Sequence, residues 1–169
     1  MQKSSLLMLV CGAAAMVVCG AAQAMSPSRA DRDFMNAVAT MDMTGAHEGR
    51  LAEDKTTNAE VKDFARMLVK DESESFGHLE EVASKAGVTI PRGINSARIP
   101  EIRMLEHLSG VRFDHQFARD EVAAQQHALA VFKREAKYGG NTDVKAYAAS
   151  MIPVLDHDLK RAQQCAAAK

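Results

Sequence analysis

Tryptophan is absent from this sequence, and Phe and Tyr together raise the aromatic share to only 5%. Strand-rich sandwiches and barrels lean on aromatic and β-branched residues, so an all-β fold is a poor candidate. An excess of one charge is also missing, since 21 basic and 22 acidic residues leave a formal net charge of -1. Nucleic-acid binders need a basic stripe, and the charges here are interspersed, so no nucleic-acid partner is expected. There is no nucleophile elbow, phosphate loop or zinc-spaced set of cysteines and histidines, and Ser75 and Ser109 lack a triad context. What remains is rich in Ala, Met, Leu, Glu and Lys, which favour helix. A length of 169 residues suits one all-α domain.

The one long apolar run lies at residues 6–22, after the positive charge of Lys3 and before Ala22-Gln23-Ala24. That order is the pattern of a secretory signal peptide with a small-x-small cleavage site. Glycines at 12 and 20 and its short length argue against a retained spanning helix. Val18 before Cys19 fits lipoprotein processing badly. We therefore expect export, with residues 1–24 removed and the mature domain covering 25–169. Cys11 and Cys19 leave with that segment, so Cys165 stays as a lone thiol and no internal disulfide is expected. Pairing of Cys165 between chains stays open.

Helical periodicity accounts for most of the rest. Ser28 with Asp31 three residues on marks a helix start, and Phe34, Val38, Met41, Gly45 and Ala52 share one face of a helix over 30–55. Asn58 caps a second helix, striped by Val61, Phe64, Ala65, Leu68, Leu79, Val82 and Ala83, which ends near Ala86. A long connection over 87–110 holds Pro91, Gly93 and Pro100 and a short helix at 101–108. A third long helix covers 111–138, and a fourth follows the Asn141 cap, with Pro153 expected to kink it rather than end it. Gly45 and Gly49, one turn apart, allow another helix close approach. Asn58-Ala59-Glu60-Val61-Lys62-Asp63-Phe64-Ala65 reads closely against Asn141-Thr142-Asp143-Val144-Lys145-Ala146-Tyr147-Ala148, 83 residues on. The same offset sets Asp31 and Phe34 against Asp114 and Phe117. Two related hairpins joined by a long crossover make a four-helix bundle.

The Asn58–Ala65 segment with Arg66-Met67, the Leu108-Ser109-Gly110 and Phe113-Asp114 pairings, and Ile152-Pro153-Val154-Leu155 carry a resemblance. Over about 31–162 the chain resembles an exported bacterial ferritin-like family called domain of unknown function 4142, whose members are often labelled outer membrane proteins. The resemblance implies a ferritin-like four-helix bundle in the cell envelope and no established reaction. Three departures stand out. Where the family usually has His after Asp in the second helix, this chain has Glu72. Where it has His in the third helix stands Gln125, and where His precedes Leu in the fourth stands Asp158.

Helical-wheel positions put Glu48, Glu72, Asp114, Glu121, Gln125 and Asp158 on or beside the apolar faces. Buried carboxylates need a partner, a proton or a metal. The metal candidates are Glu72, Glu121, Gln125 and Asp158, with Glu48 and Asp114 as further core-facing acids. Iron or manganese suits such donors, but no Glu-x-x-His pair of the di-iron kind is present. With a turn near Thr57, Glu48 faces 64–66, leaving Glu72 roughly 9 Å further along the axis. A turn near Gly140 brings Asp158 within about a turn of Glu121 and Gln125. His47, His78, His127 and His157 point away from the stripes. Met43 and His47, four apart, form the weaker case for copper. The first reading is a non-enzymatic structural, stress-related or interaction module of the periplasm, with no cofactor assigned and acting through an envelope protein or self-association. The second, of a different class, is a metal-binding or metal-oxidising bundle with a carboxylate-rich core site.

Overall fold

The structure is a computed structural model that describes residues 26–168. The expected signal peptide at 1–24 lies outside the described residues. Helix α1 (Arg29–Lys55) starts at a complete capping box, in which Ser28 and Asp31 each bond the other's backbone N–H. Asn58 then caps α2 (Ala59–Lys85) by accepting from Glu60 and Val61. Gly87, at φ 68°, turns the chain out of α2, a left-handed conformation that favours glycine. The crossover carries a 3-10 turn (Ser96–Arg98) running into α3 (Ile99–His107), two residues ahead of the predicted start. Helices α4 (Gly110–Tyr138) and α5 (Thr142–Ala167) complete the fold, and Asn141 caps α5 through Asp143 and Val144. The two asparagines of the repeat thus do the same job in each hairpin. Pro153 sits exposed inside α5 without ending it.

Within the first hairpin α1 and α2 meet through glycine. A methyl added at Gly49 would lie 2.8 Å from Val69 Cγ2 and 3.1 Å from the Ala65 carbonyl. Across hairpins, α1 pairs with α4 through Phe34 and Phe132, whose rings meet edge-on at 5.2 Å. Helix α2 pairs with α5, where Ser75 Oγ and the Tyr147 hydroxyl are 2.9 Å apart. Asp31 locks the far end, accepting from the backbone N–H of Gly140 at 2.8 Å and of Asn141 at 3.3 Å.

The apolar core comes in two pieces. One holds Phe34, Met35, Val38, Leu79, Phe132 and Tyr147. The other holds Phe64, Leu68, Leu105, Phe113, Phe117 and Ala162. Between them lie buried Asp42, Glu48, Ser75, Glu121, Gln125 and Asp158, with Glu72 half-buried beside them. A polar layer therefore cuts the bundle at mid-height.

Candidate functional site

The layer opens into a cleft of about 230 Å³ between α1, α2, α4 and the crossover. Glu48, Glu72, Glu121 and Gln125 all line it, together with Arg98 and Asn95. Helix periodicity places the acids, and glycine makes room for one of them: a methyl at Gly45 would lie 3.0 Å from the Glu72 carboxyl. Three hydrogen bonds hold the crossover over the cleft. The Asn95 backbone N–H donates to Thr44 Oγ1 at 2.8 Å, and Arg98 Nη2 donates to both oxygens of Glu48 at 2.9 and 3.1 Å. Gln125 Nε2 donates to Glu72 Oε1 at 3.2 Å.

Charge in the layer is poorly matched. Asp42, Glu48, Glu72 and Glu121 are carboxyls, and Arg98 is the cation that bonds one of them. Among the described residues, oxygens Asp42 Oδ2, Glu121 Oε1 and Gln125 Oε1 have no hydrogen-bond partner. Burial, then the neighbouring Asp42, pushes the Glu72 carboxyl well above the usual glutamate range. Burial, then Glu48, does the same to Glu121. Asp42 is pushed up to about 7 by burial, against the opposing bonds from Ser75 and Glu72. Glu48 is raised by burial despite Arg98. Two carboxyl pairs, Asp42 with Glu72 and Glu48 with Glu121, thus favour holding protons or a cation over standing as bare charges.

The predicted site residues part company here. Glu48, Glu72, Glu121 and Gln125 come together. Gly45 is the residue beside Glu72, so Glu48 lies three residues along α1 from that level, about 4.5 Å instead of the expected ~9 Å, and both side chains reach the one cleft. Asp158 does not line that cleft and lies instead against Asp71 and His157. Asp114 is remote from it, in a small hollow of about 50 Å³ with Asn58 and Cys165. Cys165 is buried and free, its thiol pushed up by burial. His47, His78, His127 and His157 are exposed as expected, although His78 packs edge-on against Tyr147 at 5.0 Å. Met43 is half-buried beside exposed His47.

Asp42 and Arg98 were not legible as site residues. Helix α1 packs against both α2 and α4, so its buried face is wider than a single stripe and takes in Asp42. Arg98 comes from the crossover, where no periodicity announces which side chain turns inward. Its three-residue spacing to Glu101, which it also contacts at 3.1 Å, was the one available signal.

An all-α four-helix bundle with a mid-height carboxylate layer is the class that the fold and site define. The family described as Domain of unknown function (DUF4142) matches residues 18–165, and this chain belongs to that family. A crystal structure of a DUF305 fragment from Deinococcus radiodurans is similar with a TM-score of 0.73 at 12% identity, covering 82% of this chain and 95% of the fragment. CopM in the Ag-bound form, obtained by co-crystallization, is similar with a TM-score of 0.64 at 15% identity, covering 79% of this chain and 93% of that one. At such identities the likeness concerns the fold. No curated protein matches the chain.

Proposed function

We propose that this protein is a non-enzymatic cation-binding bundle of the bacterial envelope, exported by its first 24 residues. It takes a hard divalent cation such as Mn2+ or Fe2+ in the cleft at Glu72 and Glu121, with Glu48 and Gln125 as further oxygen donors. The observation that carries this reading is the set of buried carboxyls opening on a cleft with unpartnered oxygens and one guanidinium among them. Oxygen donors select hard cations over soft ones. Binding would displace the protons the carboxyls hold, so affinity rises with pH. The similarity to CopM in its Ag-bound form lends the bundle fold a metal precedent.

A second reading keeps the layer as a protonated, helix-pairing device in a structural or interaction module. The two Arg98–Glu48 bonds and the Gln125–Glu72 bond favour it. Mn2+ titration followed by electron paramagnetic resonance separates the two. Saturable binding of the ion, lost in Glu121→Gln while that variant stays folded, supports the cation reading. Absence of saturable binding, together with a melting temperature indifferent to Mn2+ at pH 8, leaves the structural reading standing.

A further inference from the structure

Outside the cleft, the interface of α2 and α5 brings together Asp71, His157 and Asp158. One ligand atom from each lies within 4.8 Å of the other two. His157 Nδ1 and Asp158 Oδ1 are 3.5 Å apart. We propose that these three residues form a second cation site, which takes a borderline divalent transition-metal ion of the Zn2+ kind. The site shares no residue with the cleft and does not rest on the reading of the cleft.

Burial and donor chemistry carry the assignment. Asp158 is only 2% exposed, and among the described residues its Oδ1 makes no hydrogen bond of good geometry, meeting only the exposed His157 imidazole at 3.5 Å. A buried carboxylate oxygen left in that state is costly unless a proton or cation meets it. Asp71 and His157 extend from this buried oxygen toward solvent, with side chains 16% and 60% exposed. Four-coordinate zinc at about 2.0–2.2 Å from its donors sets them roughly 3.3–3.6 Å apart, a spacing that His157 Nδ1 and Asp158 Oδ1 already have at 3.5 Å, so that Asp71 is the donor that has to draw in. Lys70 is the cation now closest to Asp71, at 3.4 Å, yet the same ammonium reaches Glu74 at 3.3 Å. A metal can therefore take Asp71 without leaving Lys70 unpaired. One imidazole with two carboxylates is a mixed nitrogen and oxygen set, which suits Zn2+ better than the all-oxygen cleft does. Water would complete the coordination on the exposed side.

Calorimetric titration of the purified protein with ZnCl2 tests this, using His157→Ala, Asp71→Asn and, as a control outside the site, Glu121→Gln. His157→Ala alters an exposed side chain and is expected to leave the fold intact, which circular dichroism checks. The expected result is one saturable zinc per chain, weakened by at least about tenfold in His157→Ala and Asp71→Asn and unchanged in Glu121→Gln. Imidazole NMR signals of His157 should shift on zinc addition while those of His47 stay put. Zinc binding that survives both substitutions, or that disappears only in Glu121→Gln, overturns the proposal. Loss of Mn2+ binding in the cleft leaves it untouched.

Discussion

At the scale of single residues, Asp31 does more than cap a helix. It accepts from Ser28 in its own first turn and from Gly140 and Asn141 across the bundle. Burial acts to raise its carboxyl, yet the bonds from Ser28, Glu135 and Gly140 outweigh that and hold it at about 2. Burial, then Asp31 itself, pushes the neighbouring Glu135 up to about 7. Asp31→Ala is expected to cost about 2 kcal/mol in urea unfolding at pH 7, the loss of a cap together with buried bonds. The sequence showed Asp31 as a helix-start residue. Its second role depends on the Gly139–Gly140 turn arriving beside it, which spacing within α1 cannot reveal.

At the scale of elements, glycines in similar sequence settings have opposite roles. Gly77 lies mid-helix in α2, and a methyl there would meet nothing within 4 Å among the described residues. Gly77→Ala should stabilise the fold by about 0.5–1 kcal/mol through backbone entropy. Gly49→Ala should destabilise it by about 1–3 kcal/mol, because the added methyl is driven into Val69 and a backbone carbonyl of α2. Paired urea titrations of the two variants check both signs. The helices themselves were legible because caps at Ser28, Asn58 and Asn141 and continuous apolar stripes are local signals. The facing of α2 on α5 was not legible. Rotation of one helix about its axis sets whether Asp158 meets Glu121 or Asp71, and many residues of both hairpins fix that rotation jointly.

At the scale of the whole molecule, the polar layer makes stability depend on pH. Burial raises Asp42 and Asp158 to about 7 and Glu72 and Glu121 well above their usual range. A raised carboxyl stabilises the fold fully below its unfolded value near 4, and that contribution is lost as pH rises through the folded value. Asp31 works the other way, its contribution disappearing only as pH falls below about 4 toward 2. Metal-free protein should therefore melt higher at pH 5 than at pH 8, by at least about 3 °C for a chain of this size. Scanning calorimetry in chelator at the two values checks it. Equal or reversed melting temperatures would mean that the layer is not held by protons.

The sequence by itself determined the helices, their caps, the pairing into two related hairpins and the acidic character of the core. Those follow from local propensity and from periodicity within each helix. Tertiary structure decided which acids meet: Glu48, Glu72, Glu121 and Gln125 around one cleft under Arg98, and Asp158 apart from them beside Asp71 and His157. Such groupings depend on the rotation and axial offset between helices, set by close contacts such as Gly49 on Ala65 and by a crossover that follows no period.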